Sequence, residues 1–482
     1  MHLFVNLAIM LKLIKEINCW RQIFLLCIFL SPLFFINIKN SFDWGDDYAH
    51  YILKAKDIAT GSSIAKLMED ENYAPSIRPP VFPALLSPVY SCFGAIPAAY
   101  HFFSSIVLLL VLVVSWIYFF KDENMWLGVL FASSIAFIPY TLKLKAELPI
   151  ELPMMLFIYS SLLFIKLERY ALAFAFIIIA CLTKYTAVAM IPVFAFAYVI
   201  NCMSKEAQNK KQLVTIIAMA VLLLAHVLFN FSGVTWYQQH FISGNIFERI
   251  ASNFNYYMHV FFNAFEQEVP SIINVVIKWL VIVLFLSGFV LSVSKRLQAH
   301  DIFFVFYLLI IFIYDYGKGG YRFIFPLLPV VFFYFYGALN FLSDKLKLKA
   351  LYLSMAFVLV LMISFSKNII KIKEEEILVT GPQQTEFTQI CDYVKNNTPD
   401  SITIFFAKPF LTALYAERKS KWIKSISSLE AAQEKSSSYI LLAKSTEAEL
   451  YLSEFDYLLK SNVVVEENNK FILLKNQPAT FE

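Results

Sequence analysis

Charged residues, glycine and cysteine are all scarce in this sequence of 482 residues. Only 16% of the residues are Asp, Glu, Lys or Arg, whereas soluble globular proteins carry about 25%. This shortage, together with 59% hydrophobic residues, argues against a soluble globular enzyme. The few glycines form no phosphate-binding loop of the Walker or G-x-G-x-x-G type. The six cysteines have no spacing typical of a disulfide framework, and no internal repeat is present.

Long apolar runs are the dominant feature of the chain. Most are about 17–25 residues long, which is enough to cross about 30 Å of hydrocarbon as helix. They lack the period-two alternation of barrel strands. The pattern predicts an all-α polytopic membrane domain with about eleven transmembrane helices. The predicted helices are 22–38, 98–120, 125–142, 149–166, 171–183, 185–202, 213–231, 271–294, 302–316, 323–341 and 350–366.

Basic residues are concentrated in every second connection between these helices, beginning with the N-terminal segment. The positive-inside rule therefore predicts a cytoplasmic N-terminus. Residues 39–97, 232–270 and 367–482 then lie outside. The same bias explains the net charge of +4, so no nucleic-acid partner is predicted.

The C-terminal region, 367–482, has an ordinary soluble composition, unlike the membrane domain predicted for 1–366. Short strand patterns separated in part by helical patterns predict a small C-terminal α/β domain. The strand patterns are 401–406, 438–442, 462–465 and 471–474, and the helical patterns are 408–418 and 446–460. The outer loop 39–97 is predicted to carry interfacial helices, and the aromatic-rich loop 232–270 is predicted to cap a cavity.

Two acidic residues, Asp46 and Asp47, open an amphipathic helical pattern in the first outer loop. Such residues can simply be a solvated helix N-terminus, where the helix dipole favours negative charge. Alternatively, one carboxylate is a general base that takes a proton from a hydroxyl acceptor. The spacing alone favours neither interpretation.

A second acidic pair, Glu147 and Glu151, lies between the third and fourth predicted helices on the same outer side. These carboxylates either pair with Lys143 or Lys145 at the interface, or form a second wall of the same cavity. In the second case they hold an acceptor or a divalent ion. Oxygen ligands suit Mg²⁺ or Mn²⁺ rather than zinc.

Three cations are predicted on this face: Lys184 between two apolar helices, Arg322 at the outer end of the tenth, and Arg78 in the first loop. Ionisable residues within membranes are costly and indicate function. They can also anchor helix ends by snorkelling, and Arg78 is equally a surface residue. Acids and cations gathered on one face suit a reaction on a lipid-linked phosphate.

Five short motifs in order resemble the GT-C superfamily of polyprenyl-phosphate-sugar-dependent glycosyltransferases. They are GDDY at 45–48, RPPVFPALL at 78–86, KAELP at 145–149, LTKYT at 182–186 and YRF at 321–323. The nearest branch is the bacterial one akin to protein O-mannosyltransferases and the aminoarabinose lipid A transferase. The resemblance covers 1–366, and the trailing domain also looks like the C-terminal domain of many members.

The resemblance implies a single inverting displacement with Asp46 as the catalytic base. Asp47 takes the place of the second acidic residue. Glu147 matches the acidic residue after the third helix, with Glu151 as its rival. The expected donor-phosphate partners and cavity residues are Lys184, Arg322, Arg78, Glu151, Tyr48, Tyr51 and Tyr321.

The same resemblance implies a polyprenyl-phosphate-linked sugar donor in the bilayer and a hydroxyl-bearing glycoconjugate acceptor. It also implies a location in a bacterial inner membrane, with the C-terminal domain periplasmic. No histidine stands near the loop 314–322, so no metal ligand is assigned, and Mg²⁺ or Mn²⁺ stays an open alternative. A transporter or flippase of a lipid-linked glycan is the main rival function. It should have related halves or helices broken by Gly and Pro, which this sequence lacks. A non-catalytic scaffold is the third possibility.

Overall fold

The computed structural model describes residues 19–63, 79–202, 245–265, 271–314, 319–378, 381–423, 438–444, 450 and 455–476. The described chain is helical up to residue 397 and ends in a small mixed sheet. Its first helices are α1 (Trp20–Leu30), α2 (Asp46–Thr60), α3 (Val81–Phe93), α4 (Pro97–Phe120), α5 (Met125–Ala136), α6 (Pro139–Lys145) and α7 (Glu151–Lys166). They are followed by α8 (Tyr170–Cys181), α9 (Met190–Cys202), α10 (Ile246–Asn263), α11 (Ser271–Lys295), α12 (Ala299–Ile313), α13 (Tyr321–Leu346, with a 3-10 turn at Phe325–Leu327) and α14 (Ala350–Glu375).

Four described helices are long and apolar enough to cross a membrane alone: α4, α13, α14 and the Val275–Lys295 part of α11. The pair α5 and α6 passes the same test together, although it bends by 66°. Proline causes this bend, because Pro139 lacks an amide hydrogen and forces Ile138 into an extended conformation. The predicted helix 125–142 is therefore broken. These residues confirm a helical membrane domain but not eleven spans, and the predicted helix 213–231 lies outside the described ranges.

The last membrane helix is nine residues longer than the apolar run 350–366, because α14 ends at Glu375. Contacts with the chain beyond α1 hold its added turns. Lys373 Nζ donates a hydrogen bond to the Phe35 carbonyl at 3.0 Å. The Glu376 carboxylate accepts from the Asn37 amide at 3.3 Å. Hydropathy could not reveal this extension, since it depends on tertiary contacts.

A five-stranded mixed sheet forms the centre of the C-terminal region. Its strand order is β2-β1-β3-β5-β4, with β1 parallel to β2 and β3, and β5 antiparallel to β3 and β4. The small α/β architecture is as predicted, but β2 was missed because its residues, KSKW, form no apolar run. The elements are α15 (Thr385–Asn397), β1 (Thr403–Phe406), α16 (Pro409–Ala416), β2 (Lys419–Trp422), β3 (Ser438–Ala443), α17 (Phe455–Ser461), β4 (Val463–Glu467) and β5 (Phe471–Lys475).

The two faces of this sheet bury different side chains, because successive residues of a strand point to opposite sides. Phe405 and Ile440 pack on one face against Leu458 of α17. Ile404 and Leu441 point to the other face and join a larger core. That larger core also contains residues of α2 and α3, so these two helices and the sheet share one hydrophobic interior.

Helix α2 packs against both α3 and α16, and so connects this part of the chain with the C-terminal region. It ends at Gly61, whose left-handed backbone (φ 72°) is typical of a helix C-cap. The apolar positions Tyr48, Ile52 and Ala55 are buried in the shared core, as the amphipathic pattern predicts. At the far end of α2, Lys56 Nζ lies 2.9 Å from Glu417 Oε1 beyond α16.

Candidate active site

The first turn of α2 carries two carboxylates that point in different directions. Gly45 precedes the helix and lies close to the Asp43 carboxylate, because an added Cβ would lie 2.8 Å from Asp43 Oδ1. That same oxygen accepts a hydrogen bond from the Gly45 amide at 2.9 Å. Asp46 and Asp47 then follow in the first helical turn, where the helix dipole stabilises negative charge. Adjacent residues are about 100° apart around a helix axis, so the two side chains meet different surroundings.

Asp46 faces the C-terminal region. Its Oδ1 accepts hydrogen bonds from the backbone amides of Phe410, at 3.0 Å, and Leu411, at 3.1 Å. These amides belong to the first turn of α16, which has no partner for them within the helix. Pro409 at the start of α16 has no amide hydrogen to satisfy. Asp46, which is not part of α16, therefore supplies the negative charge that the N-terminus of this helix favours.

Asp47 faces the membrane domain and lies 3.4 Å from Arg322 Nη1. Both side chains stay about half exposed, at 53% and 45%, so water reaches the pair, and we call the surface around it the recess. Two glycines shortly before Arg322 allow the backbone to place it at this point. A Cβ on Gly319 would lie 1.8 Å from the Phe323 ring, and Gly320 has φ 63°, which other residues adopt only with strain.

Glu147 lies on a second wall of the recess, in the turn between α6 and α7. The next residue, Leu148, is buried and has a left-handed backbone with φ 52°, a conformation that costs energy for a branched residue. Glu147 reaches solvent but has protein on most sides. This partial burial, and then the negative charge of Asp43, raise the pKa of Glu147 to about 7, while Arg322 opposes the shift.

A buried ion pair lies beside this wall. Lys184 Nζ is 2.5 Å from Glu151 Oε1, and their side chains are 17% and 2% exposed. Glu151 is the first residue of α7. Lys184 Nζ also lies 4.2 Å from the centre of the Phe323 ring, whose centre is 5.7 Å from the Arg322 guanidinium carbon. The Phe323 ring thus lies between the two cations. The turn that carries Lys184 is held against α3, because the Val81 amide donates a hydrogen bond to the Leu182 carbonyl at 3.1 Å.

The three tyrosines predicted to line the cavity are instead buried and pack against other side chains. Tyr48 is buried and stacks on Phe42, with ring centres 4.0 Å apart. Tyr51 packs edge-on against Phe82 at 5.0 Å. The Tyr321 hydroxyl, also buried, forms a 3.1 Å hydrogen bond with the Thr141 hydroxyl. The predicted cation Arg78 lies outside the described ranges.

Sequence reasoning missed Asp43 and assigned Lys145 to the wrong surroundings. Asp43 shares the recess with Glu147, and its position two residues before Gly45 was the available signal. Lys145 is no interfacial partner for an acidic residue. Its buried Nζ donates to the Leu33 carbonyl at 2.9 Å and to the Ser105 hydroxyl at 3.0 Å. Among the residues that the structure describes, no three His, Cys, Asp or Glu side chains form a group able to hold a metal.

The fold of this chain is similar to that of two sets of solved structures. ArnT from Cupriavidus metallidurans bound to undecaprenyl phosphate is similar over 96% of this chain and 99% of its own, with a TM-score of 0.62 and 11% identity. Its apo structure gives a TM-score of 0.60. This chain therefore shares the fold of ArnT. The sequence motifs predicted this fold, although no family model matches the chain and no curated protein is similar to it in sequence.

A second set of GT-C structures is more distant. The archaeal oligosaccharyltransferase AglB from Archaeoglobus fulgidus, in complex with an inhibitory peptide and a dolichol-phosphate, has a TM-score of 0.54 and 12% identity. The similarity covers 89% of this chain and 70% of AglB. Another structure of the same enzyme contains Zn and sulfate. The similarity to ArnT includes the C-terminal region, because it extends over 96% of this chain.

Proposed function

We propose that this chain is a membrane glycosyltransferase that moves a sugar from a polyprenyl-phosphate donor to a hydroxyl acceptor. The observation that carries the proposal is the half-exposed pair of Asp47 and Arg322, 3.4 Å apart. A base and a phosphate-binding cation are thereby adjacent in one recess of a GT-C fold. ArnT with its bound undecaprenyl phosphate supports a lipid carrier of this class.

We assign the role of base to Asp47 rather than to Asp46, which the family resemblance implies. One oxygen of Asp46 already accepts two amide hydrogen bonds from α16, and this occupation makes it a poor proton acceptor. Asp47 borders the recess. An exposed ion pair contributes only about 0–1 kcal/mol, so a donor phosphate can take Arg322 from Asp47. Donor binding would then leave the Asp47 carboxylate ready to act.

The proposed step is one in-line displacement. Asp47 takes the proton of the acceptor hydroxyl, and the acceptor oxygen bonds to the anomeric carbon with inversion. The bond between that carbon and the phosphate oxygen breaks, and its electron pair leaves with the polyprenyl phosphate. Arg322 stabilises the departing charge by bidentate hydrogen bonding, and Lys184 adds positive potential behind Phe323.

Glu147 completes the proposed acceptor side. Because its pKa is raised to about 7, this carboxylate is only partly ionised at neutral pH. Its ionised form can accept a hydrogen bond from the acceptor and orient the hydroxyl towards Asp47. Glu151 is held by Lys184 and keeps that cation in place, so we assign it a positioning role.

We also propose the topology that the basic residues indicate: eleven helices in a bacterial inner membrane, a cytoplasmic N-terminus and a periplasmic domain at 367–482. The thiol of Cys92 on α3 is exposed, on the proposed outer side. A membrane-impermeant maleimide should label Cys92 in intact spheroplasts. Labelling only after the membrane is opened would reverse the orientation.

The function is tested with full-length protein purified in detergent and a panel of polyprenyl-phosphate sugars. Asp47→Asn should lower the transfer rate by at least about 100-fold, the smaller end of general-base effects. Asp46→Asn keeps an acceptor for the amides of α16 and should lower it by less than about tenfold. Asp57→Asn, at the other end of α2, is the matched control.

Two outcomes would contradict this assignment. Full activity of Asp47→Asn together with loss of activity in a folded Asp46→Asn variant would return the base to Asp46. Translocation of a lipid-linked glycan in vesicles, with no sugar transfer from any donor, would favour the transporter alternative instead.

A further inference from the structure

A second cavity lies at the opposite end of the helical bundle from the recess. Its volume is about 990 Å³, and it is bordered by α4, α7, α9, α11, α12 and α13. Helix α7 connects the two regions, with Glu151 at the recess and Lys166 at the cavity. Fifteen residues of helix at ~1.5 Å each separate these ends by about 22 Å. The cavity is therefore no part of the candidate active site.

Cations border the cavity at the side where the basic residues of the chain concentrate. Lys295 and Arg296, at the end of α11, are exposed and form no ion pair with any residue that the structure describes. Lys166 contributes a third charge. Its Nζ donates to the Tyr118 carbonyl at 2.9 Å and lies 4.0 Å from the exposed Asp122. Glu168 is the acidic residue on the cavity wall, so positive charge is in excess.

The cavity has a partly apolar wall and room at one defined point. Phe119, Phe196 and Phe333 line it. An added Cβ on Gly337 would meet nothing within 4 Å, so this glycine opens onto free space. Gly288 on the facing helix differs, because its added Cβ would lie 1.9 Å from the Tyr334 carbonyl oxygen. A partly apolar chamber with a cationic rim has the two chemistries of an anionic lipid.

One buried polar group on the wall also lacks a partner. His300 is 5% exposed, and its Nδ1 lies 3.1 Å from the Tyr118 hydroxyl. Its Nε2 has no hydrogen-bond partner and is 3.6 Å from Asp301 Oδ1. Buried polar atoms are almost always satisfied, so the wall of the cavity carries one polar atom with unused hydrogen-bonding capacity.

We propose that this cavity binds an anionic diacyl phospholipid of the leaflet opposite the active site. The phosphate headgroup would lie at Lys166, Lys295 and Arg296, with an acyl chain among the phenylalanines beside Gly337. Basic pockets between transmembrane helices on the cytoplasmic side are suited to lipid headgroups. The volume is at the upper end of the range of about 300–1,000 Å³ for small-molecule sites. The positive-inside rule alone explains cations on this side but not a cavity behind them.

The test uses full-length protein and native mass spectrometry with three added lipids: phosphatidylglycerol, phosphatidylcholine and undecaprenyl phosphate. Phosphatidylglycerol should bind most tightly. The double variant Lys295→Gln/Arg296→Gln should bind it about 30-fold more weakly, since each cation near an anionic headgroup adds roughly fivefold. Gly337→Leu should also prevent binding, because its side chain fills the free space. Lys345→Gln/Lys349→Gln removes two other cations from the same side and should bind as the wild type does.

The Gly337→Leu variant also distinguishes a cavity filled by the new side chain from a protein that no longer folds. Leucine replaces glycine in the middle of a helix, which favours the helix by roughly 0.5–1 kcal/mol, so thermal stability without lipid should not fall. Equal phosphatidylglycerol binding by all variants would overturn the proposal, and so would selective binding of undecaprenyl phosphate or of phosphatidylcholine. Sugar transfer does not enter this test, so its result is independent of the proposed activity.

Discussion

The ion pair of Glu151 and Lys184 offers a quantitative test of the recess. Removing one partner of a buried pair leaves an uncompensated charge and costs about 3–5 kcal/mol. Glu151→Gln leaves Lys184, whose side chain is 17% exposed, so we expect a loss of about 3 kcal/mol, at the low end of that range. Lys184→Met leaves Glu151, which is only 2% exposed, so the loss should approach 5 kcal/mol.

The double variant Glu151→Gln/Lys184→Met should regain most of that loss. Hydrophobic replacements of similar volume are often neutral or stabilising relative to a buried pair. Here the amide at position 151 stays polar, but neither residue carries an unpaired charge. The free energy of unfolding of the four proteins is measured by denaturant titration in the same detergent. Donor binding should still be weaker in the double variant, because the cation behind Phe323 is absent. Purely additive losses of stability would refute the coupling and place the two side chains in separate, solvated surroundings.

Three further changes test the surrounding structure. Asp46→Ala removes both hydrogen bonds to the amides of α16. The free energy of unfolding should fall by about 1–2 kcal/mol, and limited proteolysis of the C-terminal region should be faster. Glu147→Gln should abolish the rise in transfer rate that we expect as the pH increases through about 7, because the ionised carboxylate is a stronger hydrogen-bond acceptor than the neutral acid. An unchanged pH profile would exclude Glu147. Gly381→Ala places a Cβ 2.1 Å from the Phe42 carbonyl oxygen at a residue with φ 65°. This substitution should lower the free energy of unfolding by about 2–3 kcal/mol and raise the same protease sensitivity. Thermal unfolding like that of the wild type would contradict this prediction.

Local rules in the sequence predicted much of the secondary structure. Helix α2 was predicted from its amphipathic pattern, since this signal lies within the segment itself. Strand β2 was missed because KSKW has neither alternation nor a long apolar run. It is a strand because its backbone pairs with β1 in parallel register. The added turns of α14 have the same explanation, as contacts with residues 35–38 stabilise them rather than hydropathy.

The sequence by itself determined that acids and cations gather at one end of an apolar helical bundle, because burying them within lipid would cost too much. It could not assign separate roles to Asp46 and Asp47, which are neighbours of identical chemistry. Only the tertiary structure decided that one carboxylate meets the amides of α16 while the other meets Arg322. The physical reason is that the turn of a helix separates adjacent side chains by about 100°, and what lies in each direction is supplied by distant parts of the chain.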